Sequence, residues 1–88
     1  MNTDMFMKVC IQAIKQYVQD HMDKTDNVTV QDSDIYNVWN VKVLKNNKGL
    51  FSTVYPDGMY YECTYNGETN ELYLDAYKKF ENRTIVIK

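Results

Sequence analysis

Between Trp39 and Tyr77, aromatic and β-branched residues recur at alternate positions, punctuated by Tyr-Pro-Asp-Gly at residues 55–58 and by Asn66-Gly67. A period of two sends successive side chains to opposite faces of a pleated strand, and Pro-Asp-Gly and Asn-Gly reverse a chain tightly enough for antiparallel neighbours to pair. This stretch therefore predicts an antiparallel meander with rings on both faces. Its second face carries more ring surface than a plain solvent coat needs.

The strand registers follow from the alternation. Ile35, Trp39, Val41 and Val43 read as one face of the first strand. A two-residue turn at Asn46-Asn47 would pair Val43 with Leu50 and Trp39 with Val54. Met59, Tyr61, Cys63 and Tyr65 form the apolar face of the third strand. A turn at Asn66-Gly67 then sets Tyr61 opposite Leu72, with Leu74 and Ala76 continuing the fourth. Across Pro56-Asp57-Gly58 two registers stay open: a two-residue turn aligns Val54 with Met59, whereas a type I turn with a left-handed Gly58 brings Tyr55, Thr53 and Phe51 to that side. Thr84 to Ile87 reads as a short edge strand after a polar turn.

Residues 4–22 predict an amphipathic helix. Phe6, Cys10, Ile14 and Tyr17 recur at three- and four-residue intervals, opposite Lys8, Gln12, Lys15 and Gln19. Asn2 or Thr3 can cap it, and Asp4 suits the first turn. Met7, Ile11, Val18 and Met22 widen the apolar stripe enough to lie across a sheet. Asp20, Asp23, Asp26, Asp32 and Asp34 surround a polar loop between the helix and the first strand. The fold class is α+β: an N-terminal amphipathic helix packed on a four- to five-stranded antiparallel meander. An 88-residue chain is expected to form one small domain, residues 1–88.

A net charge of -2 supplies no general attraction to phosphate backbones. Cys10 and Cys63 match no metal or redox spacing and read as small hydrophobes of a reduced, cytoplasmic protein. Lys8 and Gln12 interrupt the first apolar run and Asp4 precedes it, so neither a signal peptide nor a membrane span is expected. The glycosylation patterns at Asn27 and Asn82 are chance matches in that compartment.

Catalysis is not expected. His21 is the one histidine, and it lies three helical turns, about 16 Å, from Cys10. A Cys63–His21 enzyme would need a shared cleft and a depressed thiol pKa. The scattered aspartates near His21 lack the order of a calcium loop, and no glycine-rich phosphate loop exists, so neither metal nor cofactor is expected. With a helix on the Trp39, Tyr61 and Leu74 face, the other face displays Tyr55, Tyr60, Tyr73, Tyr77 and Lys42, with Lys79 at its rim. Tyrosines offer large contact area at modest entropic cost, which suits binding a protein partner; lateral packing within the sheet accounts for them equally well. Exposed rings also stack bases, but Glu62, Glu68, Glu71 and Asp75 dilute the cations that a single-stranded nucleic acid would require. The wide helical stripe and uncovered sheet face make a homodimer the other reading.

The meander resembles a family of small uncharacterised proteins of phages and prophages of low-GC Gram-positive bacteria. The resemblance runs through Asp23-Lys24-Thr25-Asp26-Asn27, Trp39 with Lys42 and Leu44, Asn46-Asn47-Lys48 and Ser52-Thr53. It continues through Asp57-Gly58-Met59-Tyr60-Tyr61-Glu62, Thr64-Tyr65-Asn66-Gly67 and Tyr73-Leu74-Asp75-Ala76-Tyr77-Lys78-Lys79. It brings no activity and no functional residues. It implies a setting, the cytoplasm of a bacterial host, and a non-catalytic accessory role in binding a host or defence protein.

Overall fold

The computed structural model describes residues 1–22, 25 and 27–88. Helix α1 (Thr3–His21) is followed by strands β1 (Ile35–Val43), β2 (Asn46–Thr53), β3 (Met59–Asn66) and β4 (Glu71–Lys78), paired antiparallel in that order. This is the expected α+β arrangement with four strands. Of the aspartate loop, residues Asp23 and Asp26, with Lys24, lie outside the described residues.

Asn2 begins the helix: its Oδ1 accepts the Met5 N–H at 2.8 Å, satisfying a donor that the first turn leaves free. Phe6, Cys10, Ile14 and Val18, spaced by four, are all buried against the sheet. Tyr17 sits on the flank of that stripe rather than in its centre. Polar side chains on the helix tie down the returning chain. Gln19 donates to the Val28 carbonyl at 3.0 Å and accepts the Val30 N–H at 2.9 Å, while Lys15 reaches Asp32 at 3.0 Å. Val30 is thereby held in the core.

On the helix side the sheet reads in cross-strand rows: Ile35 with Thr53; Asn37, Phe51, Tyr61 and Ala76; Asn40, Gly49, Cys63 and Leu74; Lys42, Asn47, Tyr65 and Leu72. Phe51, Tyr61, Cys63 and Tyr65 are buried there beneath the helix. The faces of β3 and β4 agree with the sequence expectation.

β1 does not. Asn37 pairs with Phe51 and Trp39 with Leu50, so Val38 is an extra residue in a β-bulge. Asn37 fixes the bulge by donating from Nδ2 to the Trp39 and Leu50 carbonyls at 2.9 and 3.1 Å. One inserted residue reverses every later side chain, so Ile35 enters the core while Trp39, Val41 and Val43 turn to the opposite face.

The turns also depart from expectation. The first hairpin reverses at Leu44-Lys45, pairing Val43 with Asn46 and not with Leu50. Leu44 adopts a left-handed φ of 55° to do so, and Asn46 instead accepts the Gly67 N–H at 3.0 Å. The last hairpin has a four-residue connection, so Tyr65, not Tyr61, opposes Leu72. Gly67 is needed there because a Cβ at that position would run into the Lys45 backbone carbonyl. Of the two registers at Pro56-Asp57-Gly58 the second is realised: Gly58 has φ 71°, and Phe51 and Thr53 face the helix. No strand forms over 84–87. The Lys79 N–H donates to the Gly58 carbonyl at 2.7 Å, and beyond it the chain leaves the sheet.

Candidate functional site

The bulge decides what the helix-free face contains. Before it, Tyr36 opposes Ser52, Tyr60 and Tyr77 in one row; after it, Trp39 opposes Leu50, Glu62 and Asp75, and Val41 opposes Lys48, Thr64 and Tyr73. Without Val38 the middle and lower rows would lose Trp39 and Val41 to the helix side. The result is an aromatic and aliphatic surface spread across all four strands. Trp39 is 43% exposed, Tyr36 48%, Tyr73 47% and Tyr77 52%. These rings lie on the two outer strands, Tyr36 and Trp39 on β1 and Tyr73 and Tyr77 on β4.

The charges on this face are Lys48, Glu62, Asp75 and, at the start of β4, Glu71. Lys48 Nζ lies 3.3 Å from Glu62 Oε1, joining two neighbouring strands across the middle of the patch. Asp75 beside Glu62 leaves the face slightly acidic. The Ser52 hydroxyl is satisfied by donating to the Met59 carbonyl at 3.0 Å, so it makes no demand on a ligand.

Of the six residues expected to make contact, Tyr60, Tyr73 and Tyr77 share this face, and Lys79 follows Tyr77 at its rim. Tyr55 and Lys42 do not. Lys42 opposes Asn47 on the helix side, carried there by the bulge. The Tyr55 hydroxyl donates to Asp34 Oδ2 at 2.9 Å, and burial and that carboxylate raise its pKa. Trp39, Val41 and Leu50 are the residues that unbroken alternation from Ile35 puts on the wrong face; Tyr36, ahead of the bulge, keeps the face that alternation gives it. Their signal lay in Val38-Trp39, two adjacent apolar residues that break the period.

A second concavity, about 340 Å³, lies where the helix end meets the Pro56–Gly58 turn, with Tyr17, His21, Met22, Tyr55, Asp57 and Tyr61 among its lining. His21 donates from Nδ1 to the Tyr17 carbonyl at 2.8 Å and stacks on the Tyr17 ring at 4.0 Å, which in turn meets Tyr61 edge-on at 5.6 Å. The histidine thus closes the helix end. Cys63 is not among the residues of this cleft; it is fully buried beside Cys10, and the neighbouring Cys63 thiol, then burial, push the Cys10 thiol up. For Cys10 that environment is the reverse of one that generates a thiolate. Among the described residues no group of three His, Cys, Asp or Glu side chains is placed to hold a metal ion, and no helix is long and apolar enough to cross a membrane.

Fold and face together define a helix-backed antiparallel sheet with one open aromatic side. Residues 7–87 match a family of unknown function, DUF6275, and the chain belongs to that family. No curated protein and no solved structure matches it.

Proposed function

We propose that this is a non-catalytic accessory protein that binds another protein through the open sheet face. The observation that carries the reading is four exposed rings on one face of a hydrogen-bonded sheet, Tyr36 and Trp39 on β1 and Tyr73 and Tyr77 on β4, with the part-buried Leu50 and Tyr60 on the strands between. A rigid sheet holds these rings in place before contact, so little conformational entropy remains to be lost, and aromatic anchors of this type dominate protein–protein affinity. The Lys48–Glu62 pair and Asp75 argue for a protein partner over nucleic acid, since a base-stacking platform needs a basic track that this face does not carry. Lys79 at the rim tunes encounter, not affinity. The resemblance to phage and prophage proteins supplies the setting: a host or defence protein, met in the bacterial cytoplasm.

The test is an affinity pull-down from bacterial host lysate with wild type, a Tyr36→Ala/Tyr60→Ala variant of confirmed fold, and Lys42→Ala as a control on the helix side. A saturable protein retained by wild type and Lys42→Ala and lost by the double variant is the expected result. Equal retention by all three returns the rings to lateral packing within the sheet.

A further inference from the structure

We propose that residues 79–88 of one copy supply a fifth strand beside β4 of a second copy, in a reciprocal two-fold dimer. Phe80 is 101% exposed, and Ile85, Val86 and Ile87 are all exposed as well. The segment stands away from the body: the radius of gyration is 14.7 Å, against about 12 Å for a compact chain of this length. Extended, β-branched and unburied, it has the character of a strand whose partner lies elsewhere.

The sheet offers one edge suited to it. β1, at one side, is broken by the Val38 bulge, a device that blunts edges. β4, at the other, is a regular eight-residue ladder without bulge or proline. Lys79 directs its N–H to Gly58 on the β3 side, so by alternation Leu72, Leu74, Ala76, Lys78 and Phe80 direct theirs to the free edge. Folding back onto its own β4 would require residues 79–83, Lys-Phe-Glu-Asn-Arg, to turn without glycine or proline, while Lys79 already extends the ladder forward.

Symmetry and charge then select the register. A two-fold axis normal to an antiparallel pair sets one residue opposite itself. For residues 84–87 to lie wholly against β4, that residue is Lys79, Phe80 or Glu81. Axes at Lys79 or Glu81 put like charges face to face, which is disfavoured. An axis at Phe80 pairs ring with ring and places Lys79 opposite Glu81 on both sides. In that register Val86 meets Leu74 on the helix side, Ile87 meets Tyr73 on the open side, and Arg83 meets Tyr77 with Asp75 on its diagonal. Because the axis is normal to the sheet, both open faces look the same way and join into one surface. The doubled surface rests on the partner-binding reading above; the pairing itself does not.

Sedimentation of the full chain over a concentration series, joined to a cysteine scan at Lys79→Cys, Phe80→Cys and Glu81→Cys, tests the pairing. The expected results are a mass twice the 10.4 kDa of one chain and oxidative cross-linking strongest for Phe80→Cys. Val86→Pro removes an edge N–H and is expected to weaken the dimer at least about tenfold. Its thermal melt at monomeric concentration should match wild type, since Val86 is 80% exposed in one copy. A wild-type chain that stays monomeric to high micromolar concentration, a dimer indifferent to Val86→Pro, or equal cross-linking at all three positions overturns the proposal. Tyr36→Ala/Tyr60→Ala lies away from the dyad; loss of the protein partner with dimeric mass retained separates the two readings.

Discussion

Replacing Trp39 with alanine discriminates between two packings of β1. Unbroken alternation from Ile35 would bury Trp39 beneath the helix, and its truncation would then cost about 3–5 kcal/mol. The bulge places it opposite Leu50 on the open face with 43% of its surface in solvent. Truncation there withdraws on the order of 100 Å² of apolar contact, about 2.5 kcal/mol at about 25 cal/mol/Å². The site opens to water, so no enclosed cavity adds to that figure, and the expected cost is about 1–2.5 kcal/mol. Phe51, the next residue on β2 after Leu50, is fully buried on the other face, and Phe51→Ala is expected to cost about 3–5 kcal/mol. Urea unfolding followed by far-ultraviolet circular dichroism measures both without relying on the indole. Equal losses for the two variants would mean that Trp39 is a core residue, and the account of the bulge and of the open face would fail together.

Leu44 holds a left-handed φ of 55° while 88% exposed, so Leu44→Gly relieves strain without losing packing and should raise stability by about 1 kcal/mol; a lower urea midpoint would contradict this. Burial, with Asp57 and Tyr17, pushes the Tyr61 hydroxyl from 10.0 up to about 12. The folded chain therefore keeps a proton that the unfolded chain releases, so the stabilisation is complete below pH 10 and is lost as pH rises through about 12. At about 1.36 kcal/mol per unit the loss is on the order of 2–3 kcal/mol. Tyr61→Phe should flatten that limb of the stability profile, and a variant that tracks wild type over the window would refute the assignment. Cys10 and Cys63 are both fully buried and the Cys10 thiol is pushed up, so an aromatic disulfide reagent should label them only as fast as the protein opens. Rapid labelling of either in the native state would contradict the packing.

The helix was legible because Phe6, Cys10 and Ile14 keep one spacing, and Asn2 supplies a cap where the apolar stripe begins. The faces of β3 and β4 were legible for a related reason. The two-residue turn expected at Asn66-Gly67 and the four-residue connection found there shift the register by an even number, which leaves every side chain on its expected face. β1 failed because a bulge has no propensity of its own. It is made by Asn37 bonding to the Trp39 carbonyl of its own strand and to the Leu50 carbonyl across the pair, and its only local trace is the adjacent Val38 and Trp39. The Asn46-Asn47 turn failed because tertiary packing outweighed turn chemistry. The reversal falls on Leu44-Lys45, at the expense of a strained leucine, while the Asn46 side chain accepts from Gly67; this shift too is even and by itself moves no side chain to the other face. Tyr55 and Lys42 left the expected site, and Trp39 and Leu50 joined Tyr60, Tyr73 and Tyr77, because the bulge exchanges the faces of β1 after Val38 and of the β2 residues paired with it; Tyr36 lies ahead of the bulge on the face its alternation gives.

Oxidative footprinting of the aromatic side chains, with and without the captured partner, tests most directly whether the open face is where this protein works. Rings on the two sides of the sheet report separately: Tyr36, Trp39 and Tyr60 on the open face, Tyr17 and Tyr55 around the cleft at the helix end. Bound partner is predicted to protect Tyr36, Trp39 and Tyr60 while leaving Tyr17 and Tyr55 at their free rates. Protection confined to Tyr17 and Tyr55, with the open face unchanged, would contradict the account.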